Sequence, residues 1–488
     1  MSVGELVGMA GRAKRSVVHV MCIAATLLAS LALYGLWSPQ SKERFSLAAM
    51  PGLAARPLPS DEAETAGTIR FLSARVKGDP DDFIAQSMLA SRFLQRLRET
   101  NNLDYLKLAE TAARASLASV PAERNIGGLA ALTHSELASH EFLKARDHAM
   151  LLIRLEPGKG TGWALLGDAL LELGDYDRAS NAFQRMQQVG FGASGVETRL
   201  ARLALLRGDP HESYRHLVRA LALALDSPVP PRETVAWCYW QMGEAAFSAG
   251  DYVAAEEHYR AALTSFPGYM NALPSLGRVR AARGDLREAI EHYEHAVRIL
   301  PDPAFVAGLG DLYKLAGRTS EAESQYTLVE QIGRLWSVNG AASKRPIIVF
   351  HADHDRSVDE TYASAVEEYR VRHDIYGADA LAWSALKAGR IPEAQQAIKA
   401  ALRLGTQDAR LFYHAGMISG ASGDLISSQQ YLERALALSP GFDLLQADAA
   451  KKVLASNKVF AGLAYRTVKC LWPSSAFILN MNQCGRLR

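Results

Sequence analysis

Four residues in the stretch FHADHDRSVDE have types and a spacing that could do metal chemistry. His351 and His354 stand three residues apart, with Asp353 and Asp355 next to them. Residues three apart share one face of a helix, and imidazole and carboxylate groups are ligands that zinc accepts. One hypothesis is therefore a metal-dependent enzyme that uses the cluster His351–Asp355.

The usual sequence patterns of enzyme active sites do not accompany this cluster. The sequence contains no H-E-x-x-H zinc pattern, no G-x-S-x-G nucleophile pattern, no Walker phosphate loop and no C-x-x-C pair. The stretch also fits a turn between two helices, in which Asp355-Arg356 takes the place of a Gly-Asp pair. We therefore predict a protein with no catalytic residues, no metal site and no cofactor, and keep the metal-dependent enzyme as the alternative.

The composition is that of an ordinary folded protein without a charge bias. Of the 488 residues, 49% are hydrophobic and 22% are charged, and the formal net charge is +2. Because nucleic-acid binding depends on many phosphate contacts, we expect no nucleic-acid partner. Runs of Val, Ile and Thr are scarce apart from PIIVF (Pro346–Phe350), so the prediction is an all-α fold, with a strand at PIIVF as the alternative.

A repeated unit organises most of the chain. The segments GDYVAAEEHYRAALTSFP (Gly250–Pro267) and GDLREAIEHYEHAVRILP (Gly284–Pro301) agree at eight of eighteen positions and begin 34 residues apart. The Gly-Asp pair is a turn that ends one helix and starts the next. Apolar residues spaced i, i+4 and i+7 then give the following helix one buried face. Each unit therefore predicts a pair of helices.

This unit resembles the tetratricopeptide repeat, which favours Trp, Leu, Gly and Tyr in its first helix and Ala, an aromatic residue, Ala and Pro in its second. A small residue recurs at the centre of each second helix. These residues are Ala109, Ala145, Ala179, Ser213, Ala255, Ala289, Ala322, Thr361, Ala394 and Ser428. The resemblance implies a right-handed superhelical solenoid of about ten helix pairs at 67–442, followed by a capping helix and an apolar tail at 443–488.

The resemblance also bears on function. Proteins with this repeat are binding scaffolds, so it implies a non-enzymatic adaptor that binds proteins or peptides and has no small-molecule substrate. Each helix pair is expected to bury its faces only against its neighbours.

The predicted binding surface is the concave groove, where the first helices present repeat positions 2, 5, 9 and 12. In one unit those positions hold large aromatic residues beside a charge, and the next unit has a basic residue at position 9. The residues are Trp237, Trp240, Glu244, Phe247 and Arg278. Aromatic and arginine side chains of this kind are common at binding hot spots. Packing of these aromatics beneath the Pro-rich insertion DSPVPPR is the alternative.

His216, His258 and His292 occupy one equivalent position in three consecutive second helices. Neighbouring helices lie about 10 Å apart, whereas a zinc–nitrogen bond is about 2.1 Å long. One ion therefore cannot bridge them, and we expect surface histidines.

An apolar segment, Val17–Trp37, precedes the repeats and carries no Lys, Arg, Asp or Glu. Twenty-one helical residues rise about 31 Å, which matches the hydrocarbon core of a bilayer. We predict a cytoplasmic N-terminal tail at 1–16, a transmembrane anchor at 17–37 and a linker at 38–66. A cleaved signal peptide and a buried core helix are the alternatives.

Basic residues beside this segment bear on its orientation. Arg12, Lys14 and Arg15 lie on the short tail before it, and basic residues on a short tail favour a cytoplasmic position. We therefore expect a membrane-anchored bacterial protein that crosses the cell membrane once. Its repeats would lie outside the cytoplasm, in the periplasm of a Gram-negative cell.

Overall fold

The computed structural model describes residues 45–47, 50–338 and 344–456. The chain divides into two compact units, Met1–Ala54 and Ala55–Arg488. The first unit contains a 3-10 turn at Pro51–Leu53. The predicted anchor at 17–37 and the apolar tail from 457 onward lie outside the described residues. Among the residues described, no helix combines the length and the apolar character that crossing a bilayer requires.

Helices account for the regular structure of the described part of the second unit, which contains no strand. A leading helix, α1 (Glu62–Gly78), precedes ten helix pairs, and α22 (446–456) follows them. The first helices of the pairs are α2 (Phe83–Thr100), α4 (Ile126–Ala138), α6 (Gly160–Leu173), α8 (Ala193–Leu206), α10 (Arg232–Ser248), α12 (Ala272–Ala282), α14 (Pro303–Leu315), α16 (Arg345–Asp353), α18 (Ile375–Lys387) and α20 (Ala409–Ala421). The second helices are α3 (Asp104–Ser119), α5 (Phe142–Leu155), α7 (Tyr176–Gln188), α9 (Pro210–Leu225), α11 (Tyr252–Ser265), α13 (Leu286–Ile299), α15 (Thr319–Val338), α17 (Val358–Val371), α19 (Ile391–Ala401) and α21 (Leu425–Leu438).

Over the described residues, these elements confirm the prediction of an all-α fold built from helix pairs. PIIVF lies inside α16, so the strand alternative for that stretch is wrong. The first helix begins at Glu62, within the stretch 38–66 that the sequence assigns to a linker.

The small residue at the centre of each second helix has a packing role. All ten of these residues are at most 3% exposed, because they lie where the two helices of a pair cross closely. The first helix of a pair can also require a small residue at the crossing. A Cβ atom on Gly243 would lie closer than 3.0 Å to the ring of Tyr259. The repeat pattern therefore reports the close approach of paired helices.

The two residues of each Gly-Asp turn determine its conformation. Gly174 adopts a φ of 81°, a left-handed conformation that glycine reaches without steric cost. The side chain of Asp175 then caps α7 by accepting a hydrogen bond from the backbone N–H of Arg178, which satisfies one of the unpaired donors at the helix start. The same capping recurs at Asp251 and Asp285.

Helix pairs about 200 residues apart in sequence also touch each other. The turn at Gly174 packs against the backbone of His373, and the turn at Gly208 packs against Gly405. Across the first of these contacts, the backbone N–H of Ile375 donates to the Tyr176 hydroxyl at 2.9 Å. The expectation that each pair buries its faces only against its neighbours is therefore wrong.

The contact between helix pairs about 200 residues apart has an apolar part and an ionic part. One buried apolar cluster contains both Leu170 of α6 and Ile375 of α18. Beside it, Arg372 forms an ion pair with Glu172 at 2.5 Å, and Arg202 pairs with the same carboxylate. Burial alone would raise the pKa of Glu172, but the two guanidinium groups outweigh burial and lower it. These contacts hold together parts of the second unit that lie about 200 residues apart in sequence.

Candidate functional site

The first helices of four consecutive pairs, α10, α12, α14 and α16, line one cavity of about 780 Å³. Residues of α20 and the segment 439–444 provide further walls. Of the five predicted groove residues, four line this cavity, namely Trp240, Glu244, Phe247 and Arg278. The fifth, Trp237, lies apart from them at a smaller cavity of about 260 Å³.

Glu244 and Arg278 form the centre of a hydrogen-bonded network on the cavity wall. One oxygen of Glu244 accepts hydrogen bonds from the Tyr259 hydroxyl at 2.7 Å and the Ser275 hydroxyl at 3.0 Å, and it pairs with Arg278. The Arg278 guanidinium also lies over the ring of Phe247, 4.7 Å from its centre. The network fixes both charged groups at repeat position 9 of adjacent pairs.

The structure bears on both interpretations of the aromatic stripe, the predicted groove residues Trp237, Trp240 and Phe247. Phe247 is buried, as packing would require. Trp240 is only half-buried, and its indole N–H donates to Ser275 at 3.0 Å while part of its surface lines the cavity. The stripe therefore combines a packing residue with a residue that a ligand can reach.

Charged residues also occupy repeat position 9 of the next two first helices. Asp311 and Asp353 follow small residues of α14 and α16, as Glu244 and Arg278 follow Gly243 and Gly277, and both line the cavity. Neither is among the groove residues that the sequence predicts. Continuing the count of position 9 through the next two pairs would have found them.

Asp311 is paired with a histidine from the next helix pair. The Nε2 atom of His354 lies 2.8 Å from Asp311, and its Nδ1 atom lies 2.7 Å from the carbonyl oxygen of Phe350. Both ring nitrogens thus face acceptors, which favours the protonated ring. Burial alone would lower the pKa of His354, but the hydrogen bond to Asp311 and its charge outweigh burial and raise it.

Three of the four residues of the metal hypothesis, Asp353, His354 and Asp355, have separate partners. Asp353 accepts hydrogen bonds from Trp383 at 2.9 Å and Gln446 at 2.6 Å and pairs with Arg410. Asp355 pairs with Lys387 at 2.8 Å. In the described ranges, no group of three or more His, Cys, Asp or Glu side chains is arranged to hold a metal ion. The cluster FHADHDRSVDE therefore connects helices through ion pairs.

Of the three aligned histidines, His216 and His292 are partly exposed and His258 differs from expectation. His258 is fully buried beside the Tyr214 hydroxyl, 3.1 Å from its Nε2 atom, so its assignment to the surface is wrong. His216 lies 2.6 Å from Glu197. Tyr214 lies on α9 and His258 on α11, so these two second helices contact each other at this histidine.

Comparison with family models finds tetratricopeptide repeats at residues 161–186, 193–268, 240–304 and 380–441. The predicted resemblance to this repeat is therefore confirmed in those ranges. No curated protein matches the sequence significantly.

Several solved structures are similar to parts of the chain. The crystal structure of MamA is 23% identical and covers 34% of this chain and 93% of its own, with a TM-score of 0.28. YrrB, described as a TPR protein with an unusual peptide-binding site, is 17% identical and covers 40% and 96%, with a TM-score of 0.27. The Cut9-Hcn1 hetero-tetramer of APC/C is 15% identical and covers 82% and 60%, with a TM-score of 0.41. At these identities the likeness concerns the fold alone.

Proposed function

We propose that this protein is a non-enzymatic scaffold that holds a segment of a partner protein in the cavity beside Trp240. The observation that carries the proposal is the convergence of four consecutive first helices on one space of about 780 Å³. Cavities of roughly 300–1,000 Å³ are large enough to bury much of a ligand. Because one fold serves many functions, the proposal depends on this cavity rather than on the repeat.

The chemistry of the cavity wall suits a peptide. Trp240 and Phe305 are half-buried and line it together with the fixed Glu244–Arg278 pair. Aromatic residues and arginines dominate the energetics of protein interfaces. The ion pairs of the wall hold Arg278, Asp311 and His354 against partners inside the protein. This arrangement supports recognition of a ligand by a preformed surface more than it supports proton transfer.

A photocrosslinking experiment tests the proposed site. We expect a photoreactive phenylalanine analogue at Phe305 to form an adduct with one partner protein in cells, because this side chain lines the cavity. The same analogue at Arg287, whose side chain is 76% exposed on α13, serves as the control and should form no such adduct.

Two tryptophan variants refine the same measurement. Trp240→Ala should lower the adduct yield from position 305, whereas Trp237→Ala, at the other cavity, should leave the yield unchanged. Equal adducts from positions 305 and 287, or none from position 305, would contradict the proposed site.

We also propose that residues 17–37 anchor the protein in the cell membrane with its repeats on the extracytoplasmic side, in an envelope assembly or export system. The support is the uncharged sequence of Val17–Trp37 and the basic residues that precede it. Anchoring would raise the effective concentration of the scaffold for partners at the membrane.

The full-length chain should stay with membranes after alkaline carbonate extraction, and deletion of residues 1–44 should release it. Retention of the deletion variant would refute the anchor.

A further inference from the structure

The arginines that line the cavity already have carboxylate partners. Their pairs are Arg278–Glu244, Arg410–Asp353, Arg345–Asp374 and Arg372–Glu172. The cavity therefore offers no unpaired guanidinium to an acidic ligand.

Among the residues that the structure describes, Asp408 and Asp443 of the same wall form no salt bridge, although the charge of Arg410 acts on Asp408 and that of Asp443 acts on Arg410. Asp408 accepts hydrogen bonds through its Oδ1 atom from the backbone N–H groups of Arg410 at 2.8 Å and Leu411 at 3.4 Å. Asp443 likewise accepts through Oδ1 from the N–H groups of Leu445 and Gln446. Within the described residues, no donor reaches the Oδ2 atom of either side chain.

A third carboxylate, that of Asp311, lines the same cavity. Both hydrogen bonds to Asp311, from Tyr326 and His354, go to its Oδ1 atom. Burial raises the pKa of Asp311; His354 opposes this rise and the charge of Asp443 adds to it. Burial also raises the pKa of Asp408, and the charge of Asp379 adds to that rise. At Asp408 burial outweighs the nearby charge of Arg410, so a cation entering the cavity would stabilise the ionised carboxylate.

Aromatic rings in the same wall favour the same kind of ligand. Trp240, Phe305 and Phe442 line the cavity with the carboxylates. The face of an aromatic ring attracts ammonium and guanidinium groups within about 6 Å. The protein already uses this geometry internally, since Arg278 lies over the ring of Phe247.

We propose that the cavity receives a lysine or arginine side chain of the partner segment, held by Asp408 and Asp443 against the aromatic wall. This inference rests on the proposed function and adds the chemical class of the ligand. The charge complementarity favours a basic ligand, because the arginines of the cavity form salt bridges and, in the described part of the chain, Asp408 and Asp443 form none.

The test is a selection of random twelve-residue display peptides on the purified full-length protein, followed by affinity measurement of the selected peptides by fluorescence anisotropy. We expect peptides that contain Lys or Arg and lose affinity on Trp240→Ala. The double variant Asp408→Asn/Asp443→Asn should lower their affinity about tenfold or more, the typical effect of losing a charged hydrogen bond. Asparagine remains a good helix cap, so both local turns are preserved.

Two controls separate charge from folding. Asp177→Asn removes a fully exposed carboxylate of α7 and should leave the affinity unchanged. Replacing the basic residue of the peptide by glutamine alters no protein residue and should also cost about tenfold.

The possible failures are distinguishable. Peptides that depend on Trp240 but contain no basic residue, or bind the double variant with unchanged affinity, would overturn the inference and leave the proposed function standing. If no selected peptide depends on Trp240, both are wrong.

Discussion

Replacing Gly174 by alanine is expected to destabilise the protein by roughly 2–5 kcal/mol, and replacing Gly284 by only about 1–2 kcal/mol. Both glycines precede an aspartate in the same kind of turn and have similar φ angles, 81° and 88°. An alanine at either position pays the cost of the left-handed conformation. Only at Gly174 would the new Cβ atom also lie closer than 3.0 Å to the backbone of His373, whereas the space around Gly284 is open.

The difference between the two variants isolates the contact between distant helix pairs. Urea denaturation followed by circular dichroism measures it as a difference in midpoint. Gly208→Ala should resemble Gly174→Ala, because the backbone of Gly405 occupies the space that its Cβ atom would need. Equal midpoints for the Gly174 and Gly284 variants would mean that pairs about 200 residues apart do not touch in solution.

These turns also explain which part of the fold the sequence could predict. The close crossing inside each helix pair requires a small residue, and that requirement repeats every pair, so the pattern through Ala109 and Ser428 was visible in the sequence. The contact between distant pairs has no such signal, since the same Gly-Asp pair occurs at Gly174, where it is covered, and at Gly284, where it is open. The superhelical twist of stacked repeats is the sum of small rotations between many units. No local sequence pattern therefore predicts which distant pairs come into contact.

The same distinction applies to the cavity. Glu244 and Arg278 could be predicted because they occupy a fixed position of the repeat, and Asp311 lies at the equivalent position one pair later. Asp408 and Asp443 could not, since they cap local turns and reach the cavity only through the path of the whole chain. The alternative hypothesis of a metal cluster at FHADHDRSVDE arose for a related reason. Histidine and aspartate side chains that connect neighbouring helices have the same composition as metal ligands.

Asp353→Asn is expected to cost roughly 2–4 kcal/mol of stability, while Asp355→Asn should cost less than about 1 kcal/mol. Asp353 is largely buried and accepts from Trp383 of α18 and Gln446 of α22 while it pairs with Arg410 of α20. An asparagine there loses the charge that balances Arg410 and turns an N–H group toward other donors. Asp355 is 68% exposed and has one partner, Lys387, so its charge is screened by solvent.

Thermal denaturation of the two variants, with elemental analysis of the same samples, decides between a structural and a metal-binding role for this stretch. The structural role predicts an asymmetry, because only one of the two aspartates connects three helices. A metal centre at His351–Asp355 would instead make the variants alike, since each would remove a carboxylate that binds the metal or orients one of its ligands. Stoichiometric zinc in the wild type that both variants lose, together with equal losses of stability, would favour the enzyme over the scaffold. An asymmetric loss of stability with no change in metal content would assign Asp353 to the joint between α16, α18, α20 and α22 that shapes the cavity wall.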